Sequence, residues 1–140
     1  MRLIVLTLVL ALAGCDAPSP EIQVSDGWAR ATAPGQSSAA AYATIANRGS
    51  ADRLIGVSSN AGMAMLHRSD NEGGVSRMRM LSDMAIPAGD RVALAPGGTH
   101  IMVTGLRAPL AVGANFAITL RFAKTGPRTV AVTVVAAGAR

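Results

Sequence analysis

The sequence predicts a single all-β domain folded as a β-sandwich. A length of 140 residues suits one domain. Two segments near the C-terminus alternate strictly between large apolar residues and smaller or polar ones, at Phe116, Ile118, Leu120 and Phe122 and then at Val130, Val132 and Val134. A period of two is typical of strands with one buried face. Turn signals divide the rest of the chain into short β-like segments, roughly seven to nine in all, which favours a sandwich.

Residues 1–14 are predicted to be a lipoprotein signal peptide that is removed. Arg2 precedes an apolar run over residues 3–12, which is too short to span a bilayer. The sequence Leu12-Ala13-Gly14-Cys15 resembles a bacterial lipobox, in which the chain is cut before the cysteine and Cys15 is lipidated. The alternative is an ordinary signal peptide with an incidental cysteine.

Residues 15–21 would then form the lipidated cysteine and a proline-broken tether, and residues 22–137 the domain. We expect a chain that is lipid-anchored on the periplasmic side of a bacterial membrane. Asp16 directly follows the cysteine and resembles an inner-membrane retention signal, which favours the inner membrane. Because Cys15 is the only cysteine, the domain has no disulfide and no thiolate ligand.

The elements of the domain follow in order as strands joined by turns. Residues 22–28 open the domain. Residues 39–46 are ambiguous, because their alanines favour a helix whereas their aromatic and β-branched residues tolerate a strand. We predict a strand, since the turn at residues 47–50 leads into another β-like segment at residues 53–58. A turn at residues 124–127 joins the two alternating segments into a C-terminal hairpin.

The middle of the chain is rich in methionine and predicts a second hairpin. Residues 71–74 (Asn-Glu-Gly-Gly) are a turn signal. A four-residue loop there would place His67 opposite Met78 and Met65 opposite Met80. Directly opposed residues of an antiparallel pair point to the same face, so these four side chains would share one face. A slip of one residue would separate them.

Arginines would occupy the other face of this hairpin. Arg68 and Arg77 would be paired across the strands, which is unfavourable unless Asp70 or Glu72 relieves the repulsion. Together with Arg79 they form either a solvated face or a docking strip for an acidic partner.

His100 and Met102 form a second cluster after the turn at residues 95–98. Their i, i+2 spacing directs both side chains to one side of a strand. If this strand lies near the hairpin, two imidazoles and at least two thioethers converge. Thioether is a soft ligand that suits Cu(I), and imidazole binds either copper oxidation state. Calcium and magnesium prefer oxygen, and zinc rarely takes methionine.

Packing is the alternative for these residues. A methionine on a strand is core filler more often than a ligand. We assign Met63 and Met84 to packing on this ground, and in part Met65 and Met80 as well. The two histidines are the only ones in the chain, and both lie in methionine-rich segments.

The spacing of four residues resembles the signature of the periplasmic copper-A chaperone family. His67 is followed after ten residues by Met78, after twenty-one more by His100, and after one more by Met102. The flanking sequences at residues 27–35, 41–42, 86–89 and 96–102 are also similar to that family, and the resemblance spans residues 22–135.

This resemblance implies a cupredoxin-like Greek-key β-sandwich that holds one Cu(I) per chain between His67, Met78, His100 and Met102. It also implies delivery of copper to the copper-A subunit of cytochrome c oxidase. Some members carry a His/Met-rich C-terminal extension, which residues 135–140 lack, so we expect one site only.

Other functions fit the sequence less well. The formal net charge is +5, but the basic residues are scattered and aromatics make up 3%, which argues against nucleic-acid binding. A small copper oxidase would need a lined pocket, whereas the chain has only two Phe, one Tyr and one Trp, and we assign Trp28 and Tyr42 to the core. We therefore expect a monomeric binding protein, not an enzyme. A periplasmic copper buffering or resistance protein without a dedicated acceptor remains an alternative.

Overall fold

The computed structural model describes residues 17–140, and the predicted signal peptide and Cys15 lie outside that range. Within it the chain forms ten strands and no helix, and therefore no helix long and apolar enough to cross a membrane. The strands are β1 (Ile22–Arg30), β2 (Ser38–Asn47), β3 (Asp52–Ser59), β4 (Met63–Glu72), β5 (Val75–Met80), β6 (Met84–Ile86), β7 (Arg91–Leu94), β8 (Thr99–Thr104), β9 (Asn115–Phe122) and β10 (Gly126–Val135).

The strands are hydrogen-bonded in the order β5-β4-β8-β2-β1-β10-β9-β3-β6, and β7 also pairs with β2. The pairing of β1 with β10 is parallel, and the other pairings are antiparallel. Strands from β4 to β6 along this order contribute side chains to one apolar core, and β3 packs against β4 although the two are far apart in the order. This is the predicted β-sandwich.

The predicted strands at residues 22–28, 39–46 and 53–58 are confirmed, as is the C-terminal hairpin. Strand β2 shows why the alanine-rich segment is not a helix. Its residues Ala41, Ala43 and Ile45 are almost fully buried on the inner face of the sandwich. Because β2 pairs with β1, β7 and β8, small side chains suit this crowded central position. Tertiary packing therefore overrides the helix propensity of alanine.

Asp52 joins the start of β3 to the turn between β9 and β10. Its carboxylate accepts hydrogen bonds from the backbone N–H groups of Arg53, Lys124 and Thr125, and from Thr125 Oγ1 at 2.6 Å. Burial by itself raises the pKa of Asp52. The hydrogen bonds, that of the Thr125 side chain first, outweigh burial and lower the pKa from 3.8 to about 2.

The hairpin of β4 and β5 differs from the predicted one in its register. Glu72 pairs with Val75 across a two-residue turn, so the predicted four-residue loop is wrong. Gly73 and Gly74 both have positive φ, 59° and 79°, which is what the tight hairpin turn requires and what glycine adopts without strain. The partners are consequently shifted by two residues.

This shift changes the partners and preserves the face. His67 lies opposite Met80, and Ser69 lies opposite Met78. Because the side-chain period of a strand is two, a shift of two residues leaves Met78 and Met80 on the face of His67. The predicted grouping of these side chains on one face therefore holds, although the predicted pairing of His67 with Met78 does not.

Candidate metal centre

The two histidines of the chain face each other on neighbouring strands. Strands β4 and β8 are antiparallel, and their register places His67 directly opposite His100. The ring centroids are 6.0 Å apart, and the ring planes are inclined by 58°. The condition that the sequence left open, that the His100 strand lies near the hairpin, is therefore met.

Methionines surround this pair on the same face. Met65 lies opposite Met102 between β4 and β8, and β5 adds Met80 opposite His67. Met78 is one pair further along the hairpin, which makes it diagonal to His67 at a distance that long side chains can bridge. All four residues predicted from the spacing thus lie on one face of three adjacent strands.

The packing roles predicted for the other methionines are only partly confirmed. Met84 packs against the hydrophobic core, as predicted. Met63 is 67% exposed and Met80 is 69% exposed, so neither serves as core filler.

Both imidazoles carry a buried nitrogen without a hydrogen-bond partner among the described residues. His100 is 4% exposed, and its Nδ1 lies 3.1 Å from the carbonyl oxygen of Gly98. A carbonyl can only accept, so Nδ1 carries the proton and the lone pair is on Nε2. His100 Nε2 and His67 Nδ1 are the two orphaned nitrogens.

Buried polar atoms are nearly always hydrogen-bonded, so two orphans on facing rings require an explanation. A metal ion between the rings would satisfy both nitrogens. The contact of His100 with the Gly98 carbonyl is the kind of interaction that orients a ligating imidazole and fixes its tautomer. The residues present therefore fit a metal ion.

An aromatic row extends from His100 across the sheet. Tyr42 lies beside His100, with ring centroids 6.4 Å apart, and Trp28 stacks on Tyr42 at 4.4 Å. The guanidinium groups of Arg30 and Arg140 lie over the Trp28 ring at 5.7 and 5.3 Å from its centroid. The row supports the ring of His100 from the side away from His67.

The assignment of Trp28 and Tyr42 to the core therefore needs correction in part. Tyr42 is buried, as predicted, but it lies outside the main hydrophobic cluster. Trp28 is only half-buried. The position of Trp28 and Tyr42 in the row that extends from His100 follows from the register of β1, β2 and β8, which the sequence does not reveal.

The arginines of the hairpin lie on the opposite face, as predicted, but their cross-strand partners differ from the predicted ones. Arg68 faces Arg79 rather than Arg77, and Asp70 faces Arg77. Asp70 also forms salt bridges with Arg68 at 3.2 Å and Arg79 at 3.4 Å. Asp70, one of the two carboxylates named as able to relieve the repulsion between arginines, is therefore the one that pairs with them.

The donor set of this face is neutral and soft. Within residues 17–140 no three His, Cys, Asp or Glu side chains come together in a group that could hold a metal ion. The donors that share this face are two imidazoles and several thioethers, a combination that favours Cu(I) among the common biological metals.

Comparison with known proteins gives consistent matches over most of the chain. The model of a family described as "Putative lipoprotein LpqE-like" matches residues 22–134. A putative lipoprotein of Leifsonia xyli subsp. xyli, Lxx21020, is 35% identical over 144 residues, which cover 93% of this chain and 86% of the relative.

Solved structures match as well. The copper-bound PCuAC domain from PmoF2 superposes with a TM-score of 0.67 at 29% identity, over 82% of this chain and 92% of that domain. The solution structure of CuI-DR1885 from Deinococcus radiodurans gives a TM-score of 0.65 at 30% identity, over 82% of this chain and 78% of that chain. These matches confirm the predicted cupredoxin-like β-sandwich.

Proposed function

The chain belongs to the LpqE-like family of putative lipoproteins, and we propose that it is an extracytoplasmic Cu(I)-binding metallochaperone. The resemblance to the periplasmic copper-A chaperone family is confirmed by the solved PCuAC domains that match the chain. The copper-bound PmoF2 domain and CuI-DR1885 support copper as the cargo.

One observation carries the proposal, namely the two facing imidazoles whose buried nitrogens lack partners in the described chain. A structural histidine pair would be expected to satisfy these nitrogens within the protein. Among the described residues, five methionines share this face with the two histidines. We assign one Cu(I) per chain to His67, Met78, His100 and Met102.

This ligand set suits transfer as well as binding. All four ligands are neutral, so each can leave the metal without taking up a proton. His100 is buried, whereas Met78 is 58% exposed at the edge of the sheet. An acceptor can therefore approach the copper ion from the exposed thioether side, and copper need never be released into solution.

We further propose that the acceptor is the copper-A subunit of cytochrome c oxidase. The motif spacing supports this, together with a lipid anchor at Cys15 that would hold the domain, residues 22–137, at the periplasmic face of the inner membrane. Binding and transfer require no catalysis, so we propose no enzymatic activity. The alternative function is copper buffering without a dedicated acceptor.

A deletion strain separates the two roles. The chaperone role predicts reduced oxidase activity when copper is scarce, restored by the wild-type gene but not by His67→Ala or His100→Ala. Met84→Leu is the matched control, because Met84 packs against the core and should restore activity fully. Normal oxidase activity in copper-starved cells, together with lowered tolerance of excess copper, would contradict delivery and favour buffering.

A further inference from the structure

The face that carries the site holds more thioethers than one copper ion uses. Met63, Met65, Met78, Met80 and Met102 all project from it, as the pairings of β4 with β5 and β8 require. The proposed function uses Met78 and Met102. The remaining methionines are unassigned, and Met80 is the one nearest to a histidine in the register.

Met80 combines the register position nearest to His67 with high exposure. It lies directly opposite His67, whereas Met78 lies opposite Ser69 and is therefore diagonal to His67. Directly opposed Cβ atoms are about 4.5–5.5 Å apart and diagonal ones about 7–8 Å or somewhat less. Methionine has three rotatable bonds beyond Cα, so both thioethers can reach a metal ion beside His67.

Strand β5 is also the place where the site meets the outside. It is one of the two edge strands of the hydrogen-bonded order, and all six of its residues are exposed. Met80 is 69% exposed, in contrast to the 4% exposure of His100 at the inner side of the site. An acceptor would therefore reach the copper ion from the side of β5.

We propose that Met80 is an exit ligand that replaces Met78 on Cu(I) during transfer, an inference that rests on the proposed copper-binding function. The Cu–S bond to Met78 breaks as a Cu–S bond to Met80 forms. Copper remains Cu(I), both thioethers are neutral, and neither an electron nor a proton moves. The exchange keeps copper coordinated until the acceptor displaces Met80.

Met63 provides a matched control. It lies on the same face and is 67% exposed, but it pairs with Thr104, two same-face positions from His67 along β4. Methionine-to-leucine substitutions remove the sulfur and nearly conserve the volume, so they test the ligand with little effect on packing.

The experiment measures equilibrium affinity and release rate on the purified protein. Cu(I) affinity is obtained by competition with a chromogenic Cu(I) chelator, and release by stopped-flow mixing of the loaded protein with that chelator. We expect Met80→Leu to leave the dissociation constant within about threefold of wild type and to slow release about tenfold. Met63→Leu should match wild type in both.

The double variant Met78→Leu/Met80→Leu tests the exchange itself. In Met78→Leu, Met80 is still able to take over the vacated position. The double variant should therefore bind Cu(I) about tenfold more weakly than the product of the two single effects predicts.

Three results would overturn the proposal. These are a Met80→Leu release rate equal to that of Met63→Leu, an affinity loss in Met80→Leu as large as in Met78→Leu, and single effects that simply multiply in the double variant. A wild-type protein that takes up no Cu(I) would instead refute the proposed function itself.

Discussion

Replacing His100 with phenylalanine separates a metal ligand from a structural core residue. The substitution keeps an aromatic ring beside Tyr42 and removes both ring nitrogens. It eliminates the orphaned Nε2 and the hydrogen bond from Nδ1 to the Gly98 carbonyl. That carbonyl still accepts the backbone N–H of Ser69 at 3.1 Å, so it is not left unpaired.

These terms set the expected size of the effect. Removing the buried Nε2, which has no partner, should stabilise the folded state by about 1–3 kcal/mol, and loss of the hydrogen bond from Nδ1 should destabilise it by about 1 kcal/mol. The larger phenyl ring adds a packing cost of about 1 kcal/mol. The copper-free His100→Phe variant should therefore unfold with a free energy within about 1 kcal/mol of wild type.

The response to copper should change much more. A ligand present at a hundred times its dissociation constant stabilises the folded state by about 2.7 kcal/mol. With Cu(I) at that concentration under reducing conditions, the free energy of unfolding of wild type should rise by this amount, and that of His100→Phe should hardly change. Denaturant unfolding with and without Cu(I) measures both quantities on the same protein.

Ile101→Ala is the control for this experiment. Ile101 is the next residue of β8, faces the core and is 1% exposed, so its truncation should cost about 2–5 kcal/mol and still allow stabilisation by Cu(I). The reasoning is refuted if copper-free His100→Phe loses more than about 2 kcal/mol, the cost typical of a structural residue, while the stabilisation by copper persists.

Three further predictions concern the fold, the metal and the anchor. Folding lowers the pKa of Asp52, so its carboxylate contributes at most about 2 kcal/mol to stability, fully present above pH ~4 and lost as the pH falls towards about 2. Asp52→Asn should therefore be less stable than wild type at pH 7. Acid unfolding curves should show this difference in stability shrinking between pH ~4 and about 2. Met102→Leu should weaken Cu(I) more than Cu(II) in competition titrations, since only the soft ligand is removed, and equal losses would contradict a thioether ligand. Cys15→Ser should leave the protein unlipidated, so that immunoblots show either an uncut precursor or a product in the soluble fraction, whereas processing and membrane partitioning identical to those of wild type would refute the lipobox.

The sequence predicts the faces of the strands better than their partners. Alternation depends only on local residues, and the two-residue shift of β5 left Met78 and Met80 on the face of His67. The partners depended on whether residues 71–74 form a four-residue loop or a two-residue turn. The two-residue turn requires positive φ at Gly73 and Gly74. Glycine permits this conformation but does not require it, so the sequence alone does not select the turn.

Long-range pairings were the least accessible part of the site. The opposition of His67 and His100 requires β4 and β8 to be neighbours, although three strands, β5, β6 and β7, lie between them in the sequence. The spacing motif nevertheless selected both histidines through its resemblance to a known family. Nothing local placed Tyr42 beside His100, because that contact depends on the pairing of β2 with β8.

The ligand shell of bound copper tests the central claim most directly. We predict that the purified protein, titrated with Cu(I) under reducing conditions, takes up one equivalent, and that X-ray absorption at the copper edge shows both imidazole nitrogen and thioether sulfur scatterers. The imidazole contribution should fall when His67 or His100 is replaced by alanine. A shell of oxygen and nitrogen without sulfur, or a spectrum unchanged by both histidine variants, would contradict the assignment of copper to this site.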